Sequence, residues 1–537
     1  MAQNPAIVGF LRIPPFPGAK PPPLVAPGET AVISDGVVDK ILSQIADLKV
    51  GGSYWGSQPK LPDTGYTIIR ATDPKTQKKA GRAAIRVLEL PPHSNVDPWH
   101  ILSRADAVVA NADDELALLA AISGVPVRCL GQGRFSSLQS GGHPALRQAF
   151  RAVAVEGVTY RNPFNGEELD LSTAVELCGF WRGLIDSNRA ISSALGFAFW
   201  KRKAVEPLLW NGSGKVPFAS KLPRTDPRDQ VAVWKSRTDP KALAQLEQSN
   251  AKLVEVEDGF VRSAGLGADC IPPLSIVVDH SGIYFDPARP SDLERLLQDG
   301  NFPEEILERA RRLRQLIVDL GVSKYGAAHS TLERRTRKQH VLVVGQVEDD
   351  RAVTCGLGPR TNLELLSRVR KLNPESYVIY RPHPDIEAGH RAGAIADEEC
   401  LSHANEINRH GPISSLIGIS DEVHVNTSLA GFEALLRNKS VTTYGVPFYA
   451  GWGLTRDFGP VPPRRASRRS LDELVAATLL LYPRYIDPLT SLPCPPELLV
   501  RRIAEGRSNA NNSLVVSLRR LQGRVSLALA KSWRARP

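Results

Sequence analysis

Residues 421–445 read DEVHVNTSLAGFEALLRNKSVTTYG, and the fold turns on how that string alternates. Glu422–Val425 is a short β-branched run, Gly431–Leu436 carries apolar side chains at helical spacing, and Val441–Tyr444 returns to a strand pattern. A strand, a helix and a strand in so short a span describe a parallel crossover. The pattern continues outward. His340–Val344 reads as a buried strand, Asn362–Leu372 as a helix and Tyr377–Tyr380 as a strand. Upstream of the charged stretch Glu333–Gln339, strands are expected at Val231–Trp234, Leu253–Val256 and Ser275–Val278. A helix is expected over Glu304–Val318, where Ile306, Leu307, Leu313 and Ile317 share one face. Earlier still, Tyr66–Arg70, Ala107–Ala110 and Val125–Leu130 read as strands and Asp114–Ile122 as a helix.

These patterns divide the chain. Residues 1–30 hold seven prolines between Pro14 and Pro27 and are expected to be extended and mobile. Residues 31–150 form an α/β unit, and 151–228 a helical linker closed by polar, Pro-rich sequence. Residues 229–335 and 336–465 are two further α/β halves, 466–510 are helices crossing back over them, and 511–537 are a basic amphipathic tail. The fold class is α/β: two Rossmann-type halves in a GT-B-like plan, preceded by a partial module. That module resembles the later one. Asp106–Gly131 (DAVVANADDELALLAAISGVPVRCLG) parallels residues 421–445, and Tyr160–Pro163 parallels Tyr485–Pro488. Ile68–Pro74 (IIRATDP) is matched to Ile379–Asp385 (IYRPHPD).

Composition narrows the function. The chain has 537 residues, 42% hydrophobic and 23% charged, the balance of a globular protein with several cores. Aromatics make up only 6%, which disfavours a nucleic-acid surface built on stacked rings. The net charge of +10 is concentrated in Arg464, Arg465, Arg468 and Arg469 and in the last twenty residues, so an anionic membrane or polymer surface is an expected partner. Six scattered cysteines without metal-type spacing suit a reducing compartment. Prolines interrupt the start where a signal peptide needs an apolar run, and no stretch is apolar enough to span a bilayer. The expected location is cytoplasmic, on the inner membrane face.

Four clusters stand at expected strand ends, where open α/β sheets bind ligands. Glu257-Asp258-Gly259 sets two carboxylates beside a glycine turn and can present a general base. In Gln346-Val347-Glu348-Asp349-Asp350, three consecutive acids suggest either metal binding or one carboxylate held as a nucleophile, and no second acidic or histidine group at a recognised metal-ligand spacing supports the metal. In Arg381-Pro382-His383-Pro384-Asp385, prolines fix the backbone on both sides of a histidine suited to donate to phosphate. Asn426-Thr427-Ser428 enters a helix N-terminus, an anion site. No P-loop, nucleophile elbow or zinc signature is present in the sequence.

Taken together, EDGFVRSAGLG (257–267), PPLSIVVDHSGIYFD (272–286), RPSDL (289–293), SKY (323–325), GQVEDD (345–350), RPHPD (381–385), YGVPFYAGWGLT (444–455) and YPRYIDP (482–488) resemble the capsule polysaccharide β-Kdo transferases of the KpsC/LipB type. The resemblance implies a retaining glycosyltransferase that takes Kdo from CMP-β-Kdo. It implies a lipid acceptor of the phosphatidylglycerol type, a poly-Kdo linker for capsule assembly and the export machinery as a partner. Transfer of another CMP-activated nonulosonic acid and an inactive assembly scaffold are the alternatives. By the same resemblance Asp350 is the nucleophile. Glu257 and Asp258 resemble the acidic pair of bacterial sialyltransferases, which makes Asp258 the expected base. His383, Thr427, Ser428, Arg381, Gln346, Lys324, Arg262, Pro384 and Tyr444 are the expected donor contacts. No cofactor and no metal are expected. The first module lacks these strings: Thr72 is read in the place of His383, and Ala112 with Asp113 in the place of the Thr-Ser pair, so activity is expected only in the second.

Overall fold

A computed structural model describes residues 9–70, 86–91, 94–139, 142–219, 229–249, 251–263, 271–324, 326–327, 332–387, 391 and 393–507. The basic tail 511–537 and Tyr325 lie outside the described residues. The chain divides into two compact units. One comprises residues up to Ile191 with Leu209–Val216; the other comprises Ser192–Leu208 and everything from Pro217.

The first unit carries a four-stranded parallel sheet of Tyr66–Arg70, Val87–Glu89, Ala105–Asn111 and Val127–Leu130. Taken in chain order as 1 to 4, its strands lie side by side as 2-1-3-4. Where it is described, the proline-rich start is packed rather than free of the domain. Phe10, Leu11, Phe16 and Leu24 are buried, and Val25–Pro27 pairs antiparallel with Val158–Arg161. Prolines tolerate an edge strand, and the apolar residues between them give the segment a reason to pack.

The second unit has two sheets. His340–Val344, Tyr377–Arg381, Glu406–Ile407, Glu422–Val425, Ser440–Thr443 and Arg456–Asp457 form an all-parallel sheet. Numbered along the chain, they lie as 3-2-1-4-5-6, the arrangement of a Rossmann sheet, whose ligand crevice opens between strands 1 and 4. Its core is the run of Val341, Val343, Leu365, Leu366, Val369 and Val378. Strands this apolar are buried on both faces, as a parallel sheet requires.

The other sheet departs from the expected Rossmann form. It is mixed and seven-stranded, and it recruits Ile191–Leu195, Phe218–Ala219, Pro483–Ile486 and Pro493–Cys494 around Gln230–Val233, Lys252–Asp258 and Ser275–Asp279. Ser275–Asp279 runs antiparallel to both Lys252–Asp258 and Pro483–Ile486. Two expected boundaries therefore move. The stretch 151–228 is more than a helical linker: helices Leu171–Ser187 and Phe199–Leu209 flank a strand, and the division between units falls inside it. Residues 466–510 supply two strands as well as helices. Side-chain periodicity marks a strand but says nothing about which distant strand it will join or in which direction.

The arginine cluster at 464–469 largely serves the fold. Arg465 is buried, donating to Glu294 at 2.8 Å and to the Pro447 carbonyl at 2.7 Å; Arg464 also pairs with Glu294, and Arg469 pairs with Glu473 at 2.7 Å. Only Arg468 among them is exposed. Among the described residues, no helix is long and apolar enough to cross a membrane.

Candidate functional site

A cleft of about 970 Å³ opens in the second unit between the mixed sheet and the carboxyl ends of the parallel sheet. Glu257, Asp258, Asp350, His383, Arg381, Gln346, Lys324, Arg262, Pro384, Thr427 and Ser428 all line it. Tyr444 does not. It is buried in the core of the parallel sheet, 3.2 Å from His424 Nδ1 and packed on Phe458. It directly follows strand Ser440–Thr443, and its ring packs in the interior and does not line the cleft.

On the mixed-sheet wall, Lys252–Asp258 ends in the two carboxylates. Gly259 follows because the backbone passes so close to Ser275 that a Cβ would sit 2.3 Å from its Oγ. Side chains alternate along this strand, so Glu255 and Glu257 share one face and Asp258 takes the other. Asp258 accepts from Arg262 Nε at 2.8 Å and from Lys201 Nζ at 3.1 Å. Burial alone would raise its pKa, but the guanidinium and the ammonium outweigh that and hold the carboxyl well below the usual range. Burial pushes Glu257 up to about 7, against the pull of the Lys201 ammonium, to which it makes no hydrogen bond. The two acids are thereby driven apart, one fixed as an anion and one able to exchange a proton near neutral pH.

Two residues at this wall behave differently from expectation. Arg262 is 1% exposed, and its remaining nitrogens donate to Ser263 Oγ at 2.7 Å and to the Ile271 carbonyl at 2.8 Å. It orients Asp258 rather than reaching for a ligand. Lys201, on helix Phe199–Leu209, had no signal in the sequence. It sits in a basic run (Lys201-Arg202-Lys203) that reads as a solvated face, yet its ammonium is buried 3.3 Å from the centre of the Trp234 ring. Burial lowers its pKa while Asp258 opposes the fall.

On the parallel-sheet wall, Asp350 caps helix Arg351–Cys355, accepting from Ala352 N at 2.9 Å, and is exposed to the cleft. The next residue, Arg351, donates to the buried Glu255 at 2.7 Å, which ties the Asp350 loop to the strand carrying Glu257 and Asp258. His383 Nδ1 accepts the Asp385 backbone N–H at 3.1 Å, which leaves the proton of the neutral ring on Nε2. Burial lowers the His383 pKa, against the pull of Asp385, and favours that neutral donor form.

Ser428 caps helix Leu429–Leu436 through Ala430 N at 3.2 Å, and its hydroxyl proton meets no acceptor among the described residues. Thr427 is occupied within the protein. Its N–H donates to Gln346 Oε1 at 2.8 Å, its hydroxyl donates to the Ala352 carbonyl at 3.0 Å, and Gln346 Nε2 donates back at 3.1 Å. Thr427 and Gln346 thus shape the crevice between the first and fourth strands of the sheet. Arg381 is likewise engaged, with four bonds to the 408–411 loop, among them the His410 carbonyl at 2.9 Å and the Gly411 carbonyl at 2.8 Å. Lys324 lies close enough to Asp258 and to His383 to bias both titrations. Among the described residues, no group of three or more His, Cys, Asp or Glu side chains is placed to hold a metal ion.

The first unit repeats the strand order of the second. Omitting the edge strands of the six-stranded sheet leaves 2-1-4-5, which matches 2-1-3-4 position for position. Tyr160 and Tyr485 each donate to a carbonyl six residues upstream, Ala154 at 2.7 Å and Leu479 at 2.8 Å. This register corrects one pairing. Tyr66–Arg70 lies beside Ala105–Asn111, the place of His340–Val344, so Val87–Glu89 is the counterpart of Tyr377–Arg381. The sequence to set against Arg381-Pro382-His383 is therefore Leu90-Pro91-Pro92-His93; Thr72, Pro92 and His93 lie outside the described residues. Asp114 rather than Asp113 caps helix Glu115–Ile122, and it is ion-paired with Arg70. A carboxylate already fills the anion place there.

A family model described as "Capsule polysaccharide biosynthesis protein" matches residues 229–485. The structure of Thermosulfurimonas dismutans KpsC, a beta Kdo 2,4 transferase, is 32% identical, with 58% of this chain covering 98% of that one at a TM-score of 0.51. The chain belongs to the capsule polysaccharide biosynthesis family. Two curated relatives agree with that membership. Neisseria meningitidis (serogroup A) LipA, a capsule polysaccharide modification protein, is 39% identical over 352 residues, covering 64% of this chain and 50% of its own length. Rhizobium meliloti LpsZ, a lipopolysaccharide-processing protein, is 43% identical over 280 residues, covering 49% of this chain and 63% of its own. The chain therefore spans between half and two thirds of the curated relatives it matches. Lys201 lies outside the residues that the family model matches, although its ammonium reaches the cleft.

Proposed function

We propose that this family member is a retaining glycosyltransferase that moves Kdo from CMP-β-Kdo to a Kdo-bearing lipid acceptor during capsule assembly. The observation that carries the reading is the convergence of Asp350, the Glu257–Asp258 pair and His383 on one cleft, between a Rossmann-ordered sheet and a second sheet. That pairing of sheets is consistent with a GT-B-like plan.

In the first step the Asp350 carboxylate attacks the anomeric carbon, and the bond from that carbon to the CMP phosphate oxygen breaks. The negative charge that develops on the leaving phosphate is met by the His383 Nε2–H, the Ser428 hydroxyl and the N-terminus of helix Leu429–Leu436. In the second step an acceptor hydroxyl attacks the same carbon from the opposite face and releases Asp350. Its proton passes to Glu257, the acid of the pair whose pKa lies near neutrality. Asp258, held ionised by Arg262 and Lys201, stays an anion and favours the cationic character of the transition state. On this reading the general base shifts from Asp258 to its neighbour. The enzyme works at the inner membrane face, where the lipid acceptor and the export machinery are the proposed partners.

The test is incubation of the full chain with CMP-Kdo and a synthetic Kdo-terminated lipid, repeated with Asp350→Ala. Wild type is expected to form product and Asp350→Ala to lose it by at least about a thousandfold. Intact-mass analysis of quenched enzyme is expected to show a Kdo adduct only when Asp350 is present. No product from wild type with any Kdo acceptor overturns the transferase reading; full activity in Asp350→Ala overturns the nucleophile.

A further inference from the structure

The mixed-sheet wall carries two cation–aromatic pairs side by side. Lys201 lies over Trp234 with its ammonium 3.3 Å from the ring centre, and Arg237 lies over Trp200 with its guanidinium carbon 4.9 Å away. All four residues line the cleft. They come from adjacent strands. Trp200 follows Ile191–Leu195 on helix Phe199–Leu209, and Arg237 ends the single 3₁₀ turn Lys235–Arg237 after Gln230–Val233.

The charges of the two pairs have different fates. Lys201 is neutralised by Asp258 at 3.1 Å. Other cations lining the cleft are similarly engaged: Arg262 with Asp258, Arg351 with Glu255, Arg381 with loop carbonyls and Arg391 with Asp349. Arg237 is exposed and has no carboxylate partner among the described residues. The Trp200 indole N–H is buried without an acceptor among the described residues, so what the side chain can offer the cleft is its ring.

We infer that Trp200 and Arg237 form the acceptor subsite of the cleft, taking a sugar that carries a carboxylate. The indole face receives the apolar face of the ring, and the guanidinium, held flat by its stacking, pairs with the carboxylate. Placement supports this assignment. The phosphate-directed groups His383 and Ser428 come from the parallel sheet, whereas Trp200 and Arg237 come from the mixed sheet, Arg237 following the strand next to the one that carries Glu257, the proposed base for an incoming hydroxyl. The choice of a carboxylate-bearing acceptor rests on the transferase reading above, but the subsite can be tested without turnover.

The probes are the methyl glycoside of Kdo, its methyl ester and CMP, each titrated calorimetrically into the full chain. Wild type is expected to bind the free carboxylate about tenfold more tightly than the ester. Arg237→Gln is expected to lose that preference, Arg237→Lys to keep part of it, and Trp200→Leu to weaken both glycosides alike. CMP binding by each variant reports an intact cleft. Wild-type affinity for the carboxylate in Arg237→Gln, or equal binding of acid and ester by wild type, overturns the subsite. If wild type binds the carboxylate through Arg237 but forms no product with CMP-Kdo, the subsite stands and the transferase reading falls.

Discussion

Replacing Glu257 with glutamine should stabilise the protein at alkaline pH and do much less at acidic pH. Burial raises the Glu257 pKa from 4.5 to about 7, so the folded state holds its proton more tightly than the unfolded chain does. Between those two values the native state binds the extra proton, and stability falls as pH rises through the window. Below about 4.5 the carboxyl is neutral in both states and costs nothing. Above about 7 it is ionised in both, and the native state bears the whole burial penalty. At about 1.4 kcal/mol for each pH unit, the rise sets a ceiling of about 3 kcal/mol, reduced by solvent screening because the carboxyl faces an open cleft. Asp258 works in the opposite sense: its lowered pKa contributes stability that is present above the ordinary value and lost only in strong acid. The two effects therefore occupy separate pH windows. Thermal midpoints of wild type and Glu257→Gln at pH 5 and pH 8 measure the first. The variant should gain up to a few degrees relative to wild type at pH 8, with the difference shrinking toward zero at pH 5. An offset of equal size at both values would refute a buried, proton-holding Glu257. A loss at pH 8 would show that its charge stabilises the fold.

Lys201→Met removes the ammonium that lowers Glu257 and pairs with Asp258, so the ascending limb of a kcat/KM profile against pH should move to higher pH. Lys201→Arg should restore most of the wild-type profile; an unmoved limb in Lys201→Met would mean that the residue only packs against Trp234. Tyr444→Phe should leave CMP affinity within about twofold of wild type and cost about 1 kcal/mol of stability through the bond to His424. A tenfold loss of CMP affinity would return Tyr444 to the donor site.

The string at 421–445 was sufficient for the class of fold, because a parallel sheet buried on both faces needs strands and helices whose side chains announce their own periods. His340–Val344, Asn362–Leu372 and Glu422–Val425 have the same limits in the sequence reading and in the structure. The acidic pair, Asp350, His383 and Ser428 were legible for a related reason. Each sits where a strand ends, and proline, glycine or a capping hydroxyl marks the place. What the residues do there was not legible. Arg262, Arg381, Gln346 and Thr427 have the chemistry of ligand contacts, yet in the folded chain their polar atoms meet the protein's own carboxylates and carbonyls. Lys201 and Arg237 look alike in sequence, both in basic surroundings next to aromatics. Only the fold buries one against Asp258 and leaves the other without a carboxylate partner among the described residues. The mixed sheet likewise draws together Ile191–Leu195, Lys252–Asp258 and Pro483–Ile486, segments separated by long stretches of chain. Local sequence determined which segments are strands and which polar residues stand at their ends, since both follow from neighbours along the chain. Tertiary structure decided which charges meet, which carboxylate keeps its proton and which residues are left to face a ligand, because Coulomb and desolvation energies depend on distance and burial in space.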